Sequence, residues 1–107
     1  PKKVWPLRIW YMYDQDVCTL IDVNEQERKV KVKNFADKIM FRAFGVVEDP
    51  DYNQYMEFLE SRCFPESRDK MKLILKDLGL PFYDPIMIIE KTEGRMAEDN
   101  FWIRIER

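Results

Sequence analysis

Three short runs place carboxylates where they could grip a divalent cation: Asp14-x-Asp16, Glu48-Asp49-x-Asp51 and Glu98-Asp99. Mg²⁺ takes oxygen ligands, usually one or two carboxylates completed by water and substrate phosphates. The enzyme class these runs admit is therefore a metal-dependent nuclease. All three stand in expected turns, however, where aspartate is favoured for hydrogen bonding to its own backbone without any ligand. The rest of the catalytic repertoire is missing. No histidine occurs, which removes the commonest general base and every triad or dyad built on it. Cys18 and Cys63 have no second ligand at C-x-x-C spacing, so neither belongs to a structural zinc site. Ser61 and Ser67 lie outside any nucleophile-elbow setting. The three glycines stand at helix ends and form no phosphate-cradling loop. The expectation is a non-enzymatic chain with no cofactor and no metal.

The elements that position these residues read as strands first and helices afterwards. Residues 4–13 are β-branched and aromatic and predict a strand. Leu7, Ile9, Tyr11 and Tyr13 share one face by period two, and Arg8, Trp10 and Met12 share the other. With large apolar groups on both faces, this strand is either central or covered by a partner. Asp14-Gln15-Asp16 is a turn, Val17 to Val23 a second strand, and 24–27 a second turn. Arg28 to Lys33 then alternates, with Val30 and Val32 inward and Lys29, Lys31 and Lys33 facing water. Lysines on an edge strand deter edge-to-edge pairing.

Four short helices follow. Asn34 is read as the N-cap of a helix reaching Phe44 with Gly45 beyond it. Asp49-Pro50 opens a second, in which Tyr52, Tyr55, Met56 and Leu59 recur at helical spacing. A third begins after Phe64-Pro65, turns Met71, Ile74, Leu75 and Leu78 inward and stops at Gly79. Asp84-Pro85 opens a fourth, Pro85 to Glu93. Residues 101–105 close the sheet as a last strand. The fold class is α+β in one domain, 1–107: an N-terminal three-stranded antiparallel meander, about four short helices and a C-terminal strand.

Composition bounds the function. Of 107 residues, 46% are hydrophobic and 36% charged, which is globular rather than disordered. The net charge of −2 argues against a dedicated nucleic-acid binder, which ordinarily carries a basic excess. The two cysteines, unlike in context, read as reduced thiols. No signal peptide and no membrane-length apolar run is apparent, so a cytoplasmic location is expected, in a bacterial cell or one infected by phage.

Surface patterning leaves three features. An acidic band, Glu48, Asp49, Asp51, Glu57 and Glu60, has no basic residue within 45–61. It reads either as a solvated helix face or as a surface that docks on a basic partner. Arg68, Lys72 and Lys76 fall at i, i+4 and i+8 below Arg62, a stripe that would contact phosphate or an acidic partner. An ordinary amphipathic helix explains the stripe equally well. Aromatics make up 14% of the chain, more than one small core needs. Exposed aromatics beside charged rims are typical of protein interfaces, and Trp10 is grouped with the acidic band on that ground.

The run Arg62-Cys63-Phe64-Pro65-Glu66-Ser67-Arg68 leads into an amphipathic helix ending Leu78-Gly79. Gly94-Arg95-Met96-Ala97-Glu98-Asp99 and Phe101-Trp102-Ile103 follow. Over about residues 52–105 this arrangement resembles a small module of bacterial genomes and mobile elements, some copies of which precede HipA-like serine/threonine kinase domains. The resemblance implies an accessory or regulatory role beside a toxin-type kinase. It marks Arg62, Pro65, Arg68, Asp99 and Trp102 as the signature. Physically, Pro65 would start a helix, Arg62 and Arg68 would pair with Asp99 or Glu98, and Trp102 would seal the core.

These readings converge on a non-enzymatic protein-binding regulator of a bacterial mobile element or toxin-like kinase system. The alternatives are a phage-type inhibitor, anti-CRISPR-like, that presents its acidic surface to a host defence nuclease, and a nucleic-acid binder using Arg62, Arg68, Lys72 and Lys76. No membrane contact is expected, and the first strand leaves homodimerisation open.

Overall fold

A computed structural model describes residues 5–107. Strands β1 (Leu7–Tyr13), β2 (Asp16–Asn24) and β3 (Lys29–Asn34) form the expected meander. Helices α1 (Tyr52–Ser61), α2 (Met71–Leu78) and α3 (Pro85–Thr92) come next, and β4 (Phe101–Glu106) closes the chain. The sheet is antiparallel with order β3-β2-β1-β4. The first strand is therefore central, which answers why both its faces are apolar. Val4, included in the expected strand, lies outside the described residues. No helix among the described residues is long and apolar enough to cross a membrane.

Register decides the core. Leu7, Ile9 and Tyr11 pair with Val23, Ile21 and Thr19 on one side and, for the latter two, with Ile105 and Ile103 on the other. These side chains share a face with Val30 and Val32 and pack against Tyr55, Phe58 and Leu59 of α1 and Ile86 and Ile89 of α3. Tyr11 stacks on Phe101 with ring centroids 4.8 Å apart and meets Phe58 edge-on at 5.0 Å, geometries that aromatic quadrupoles favour. A second, smaller cluster of Leu75, Leu80 and Ile88 gathers Phe64, Met71 and Tyr83 around α2.

One helix start follows its sequence signal and the other is displaced. The cap of α1 is Asp51 rather than the expected Asp49-Pro50, and Asp51 and Gln54 form a reciprocal capping box. Asp84 accepts from the backbone of Ile86 and Met87, with Pro85 at the first helical position.

Two expectations are overturned. No helix spans 34–44; a single 3₁₀ turn, Ile39–Phe41, stands there between extended Lys38 and Arg42. Asn34, the expected cap, instead ends β3, and its side chain pairs with the Thr19 hydroxyl at 3.0 Å. Among the described residues the helices number three, not four. The helix expected just after Pro65 begins only at Met71, because residues 65–68 close a turn, Arg68 N–H to Pro65 C=O at 3.0 Å. Proline there ends a segment rather than opening a helix.

The Tyr55 hydroxyl lies in the core with no hydrogen-bond partner among the described residues, and burial pushes the phenol's pKa upward. A buried, unpaired hydroxyl costs roughly 1–3 kcal/mol. Tyr55→Phe should therefore keep the fold and raise the urea midpoint, or leave it unchanged; a lowered midpoint would show that the hydroxyl makes a stabilising bond.

Candidate functional site

The loop from Phe35 to Val47, where a helix was expected, is held by named bonds. The Thr19 hydroxyl, fully buried, accepts from Ala43 N–H at 3.0 Å. Arg42 Nε donates to the Ala36 carbonyl at 2.8 Å, and the N–H groups of Phe35 and Ala36 both donate to Cys18 C=O. Phe41 packs edge-on against Tyr13 at 4.9 Å, and Phe44 leans on Phe58 of α1 at 5.4 Å. Gly45 sits at φ +56°, where a side chain would be strained, and its turn lets the chain reverse toward α1.

With Phe41 and Phe44 turned inward and Ala36 and Ala43 packed against the core, the larger side chains of Ile39, Met40 and Val46 face water. Met40 is 77% exposed, Val46 73% and Ile39 49%. Single exposed apolar residues need no explanation. Three on one anchored loop, with Phe35 exposed beside them, form a patch. A groove of about 500 Å³ lined by Tyr13, Val17, Cys18, Phe35, Ala36 and Phe41 runs along the same segment. The loop then continues directly into the acidic band. Glu48 and Asp49 are exposed in the bend before α1, Asp51 is exposed at its N-cap, and Glu57 and Glu60 stand on its outer face, opposite buried Tyr55, Phe58 and Leu59. Glu48 and Asp49 thus follow the exposed loop residues directly in the chain, and Asp51, Glu57 and Glu60 continue the band along α1.

Trp10 is not part of this surface. It projects from the opposite face of the sheet, which no helix among the described residues covers. There its indole N–H donates to Glu106 at 3.0 Å, and the guanidinium groups of Arg8 and Arg104 lie 5.6 and 5.0 Å from its ring. Trp102 shares that face, so it does not seal the core. Arg95 stacks on it at 4.8 Å, and its indole N–H donates to Asp14 C=O at 2.6 Å. Long cations laid over aromatic rings roof a sheet face that has no second layer.

The basic set is also divided. Arg62 is 7% exposed and fully engaged in structure. Its guanidinium makes paired bonds to Asp99 at 3.0 and 3.1 Å and donates to Gly94 C=O at 2.9 Å and Phe101 C=O at 3.0 Å. Arg68 is exposed in the turn at 65–68 and off the helix, so the expected stripe reduces to Lys72 and Lys76, both exposed on α2. Arg62 to Arg68 and Thr92 to Glu98 nevertheless meet along a cleft of about 270 Å³.

Neither cysteine is set up for nucleophilic work. Both are free thiols. Burial, then Glu60, pushes the Cys63 thiol up to about 12, and burial also raises that of Cys18; a reactive thiol needs the opposite shift. The carboxylate runs do not converge either: no group of three or more Asp, Glu, Cys or His side chains among the described residues is placed to hold a metal.

Sequence reasoning missed Ile39, Met40 and Val46. Ala36, Ile39, Met40 and Ala43 fall at i, i+3, i+4 and i+7, a helical stripe that would bury Ile39 and Met40. The available signal was the interleaved Phe41 and Phe44, larger apolar groups which that stripe assigns no single face. Comparison of the chain with protein-family models, curated proteins and solved structures found no match.

The bond to Arg62, joined by the Phe101 N–H, holds the Asp99 carboxyl below its ordinary range. A depressed carboxyl contributes stability that is present above its unfolded pKa and lost as pH falls through the folded one. Asp99→Asn should lower stability at pH 7 by about 2 kcal/mol, a charge-assisted bond's worth. It should also flatten the acid limb of the stability–pH curve below the usual carboxylate range. Parallel acid limbs for the two proteins would show that Asp99 is not the titrating group.

Proposed function

We propose that this chain is a non-enzymatic protein-binding regulatory module. It presents an apolar knob with an acidic rim to a partner whose apolar pocket is ringed by lysine and arginine. The observation that carries this is the anchored loop bearing exposed Ile39, Met40 and Val46, continuous with exposed Glu48 and Asp49. A loop backbone anchored by buried neighbours loses little conformational entropy on docking, which helps a small patch reach useful affinity. The carboxylates add steering and exclude acidic partners.

Support for a regulatory role comes from the resemblance of residues 52–105 to the segment ahead of HipA-like kinases, which makes a toxin-type kinase or a protein encoded beside it the first partner to test. A protein partner also fits the sheet's uncovered face, because Trp10 and Trp102 are stacked by arginines rather than open for nucleotide bases.

Met40→Asp and Val46→Asp leave every bond that anchors the loop in place, so melting temperature should hold within a few degrees. Affinity for a partner recovered by pull-down with the native chain should fall by at least about tenfold, the scale of a lost interface anchor. Glu57→Lys with Glu60→Lys should slow association and weaken its salt dependence. A partner retained equally by all these variants would move the interface off this surface and overturn the reading.

A further inference from the structure

The outer edge of β3 supports a second binding mode, independent of the loop patch. β3 ends the sheet, and no strand among the described residues pairs with its far side. The Phe35 N–H donates to Cys18 C=O at 2.9 Å. Antiparallel pairs alternate between hydrogen-bonded and non-bonded positions. In the β2–β3 register, Lys33, Lys31 and Lys29 stand opposite Leu20, Asp22 and Asn24. Counting back by twos from Phe35 makes these the bonded pairs. It follows that Val30 and Val32 turn their own N–H and C=O groups outward, to whatever lies beyond the edge.

The two faces of this edge differ in chemistry. On the uncovered face Lys29, Lys31 and Lys33 are all exposed. Lys29 pairs with exposed Glu27 at 3.2 Å, Lys31 lies over Trp5 and Lys33 over Phe35. On the helix-covered face Val30 and Val32 pack against the core yet stay only half-buried, for want of a neighbour on their outer side.

We infer that β3 accepts an extended protein segment in which acidic residues alternate with β-branched apolar ones, added to the sheet as a fifth strand. Backbone bonds to Val30 and Val32 would supply affinity, and the alternating side chains would supply selectivity. If the added strand is antiparallel, each acidic residue falls opposite a lysine at a non-hydrogen-bonded position. Side chains approach most closely there, with Cα atoms about 4.5 Å apart, and its apolar residues cover Val30 and Val32. The same lysines exclude a second copy of this chain, since β3 against β3 would set like charges side by side. The edge is thus guarded against itself and open to a partner of opposite charge.

The probe is a capped eight-residue peptide of alternating glutamate and valine, titrated into the intact chain by calorimetry. Its control is a peptide of the same composition with four glutamates followed by four valines. The alternating peptide should bind at least about tenfold more tightly than the control, as three favourable cross-strand charge pairs allow. Hydrogen exchange should slow at the Val30 and Val32 amides. The triple variant Lys29→Glu, Lys31→Glu, Lys33→Glu, altered only at exposed positions, should transfer the preference to an alternating lysine–valine peptide. Met40→Asp should bind the glutamate–valine peptide as the native chain does, which separates this edge from the loop surface. Equal binding of the two glutamate peptides would overturn the proposal, as would binding without protection of Val30 and Val32. So would displacement of the peptide by a single-stranded oligonucleotide that binds more tightly at the same salt, since the face would then be one for phosphate.

Discussion

The guanidinium of Arg62 ties the molecule together. It stands just past the last turn of α1 and bonds to a carbonyl in the loop after α3, to the carboxylate before β4 and to a carbonyl at the start of β4. Those groups lie 32 to 39 residues beyond it in sequence. Together with the packing of Tyr55, Phe58 and Leu59, the bonds fix the end of α1 against the sheet. Asp99 repeats the device on a smaller scale by accepting from Phe101 N–H, which sets the strand that stacks Phe101 on Tyr11. Gly94 must approach closely: a Cβ there would stand 3.2 Å from Ile103 and 3.4 Å from Arg62, at a φ of +62°. Arginine suits this position because its planar fork satisfies a carboxylate and two carbonyls together, whereas an ammonium has neither the reach nor the geometry.

A sheet with helices, among the described residues, on only one face leaves the other to be managed by side chains. Leu20 and Met12 are buried on that face although no helix among the described residues covers them. Arg8 lies flat against Trp10 and is pinned to Asp22 at 2.8 Å, Arg104 lies on the ring as well, and Arg95 covers Trp102. The outcome is a segregation of charge across the thickness of the molecule. Cations gather on the uncovered sheet face and carboxylates on the outer face of α1, while the net charge stays near zero. Net charge alone therefore misjudges what either surface would attract.

Most of the architecture was legible before any coordinates. Alternation in β1 and β3, the Asp84-Pro85 helix start and the isolated cysteines are local signals with local causes, and each appears as read, while the cap of α1 moved from Asp49 to Asp51. The pairing of Arg62 with Asp99 was also within reach, since a motif arginine and a later aspartate are natural partners. The failures were at 34–44 and 65–70, where a capping asparagine with a glycine stop and a proline were read by their usual meaning. At 65–68 a local turn prevailed, and at 34–44 a longer-range bond did. Thr19, on a strand fifteen residues earlier, takes the Asn34 side chain, and its hydroxyl also holds Ala43. Trp102 failed differently: its apolar character was read correctly, but the register of β4 on β1 points it away from the helices.

By itself, then, the sequence determined the strands and their order, the helices at 52–61 and 85–92 and which faces of β1 and β3 are apolar, because those depend on neighbours within a few residues. Only the tertiary structure decided which apolar residues remain outside. Ile39, Met40 and Val46 are exposed because Phe41 and Phe44, larger and better matched to Tyr13 and Phe58, fill the space beneath the loop. Trp10 and the acidic band were parted for a similar reason: strand and helix lie on opposite sides of one core. Competition for a shared interior volume is settled among residues distant in the chain, and no local pattern records its outcome.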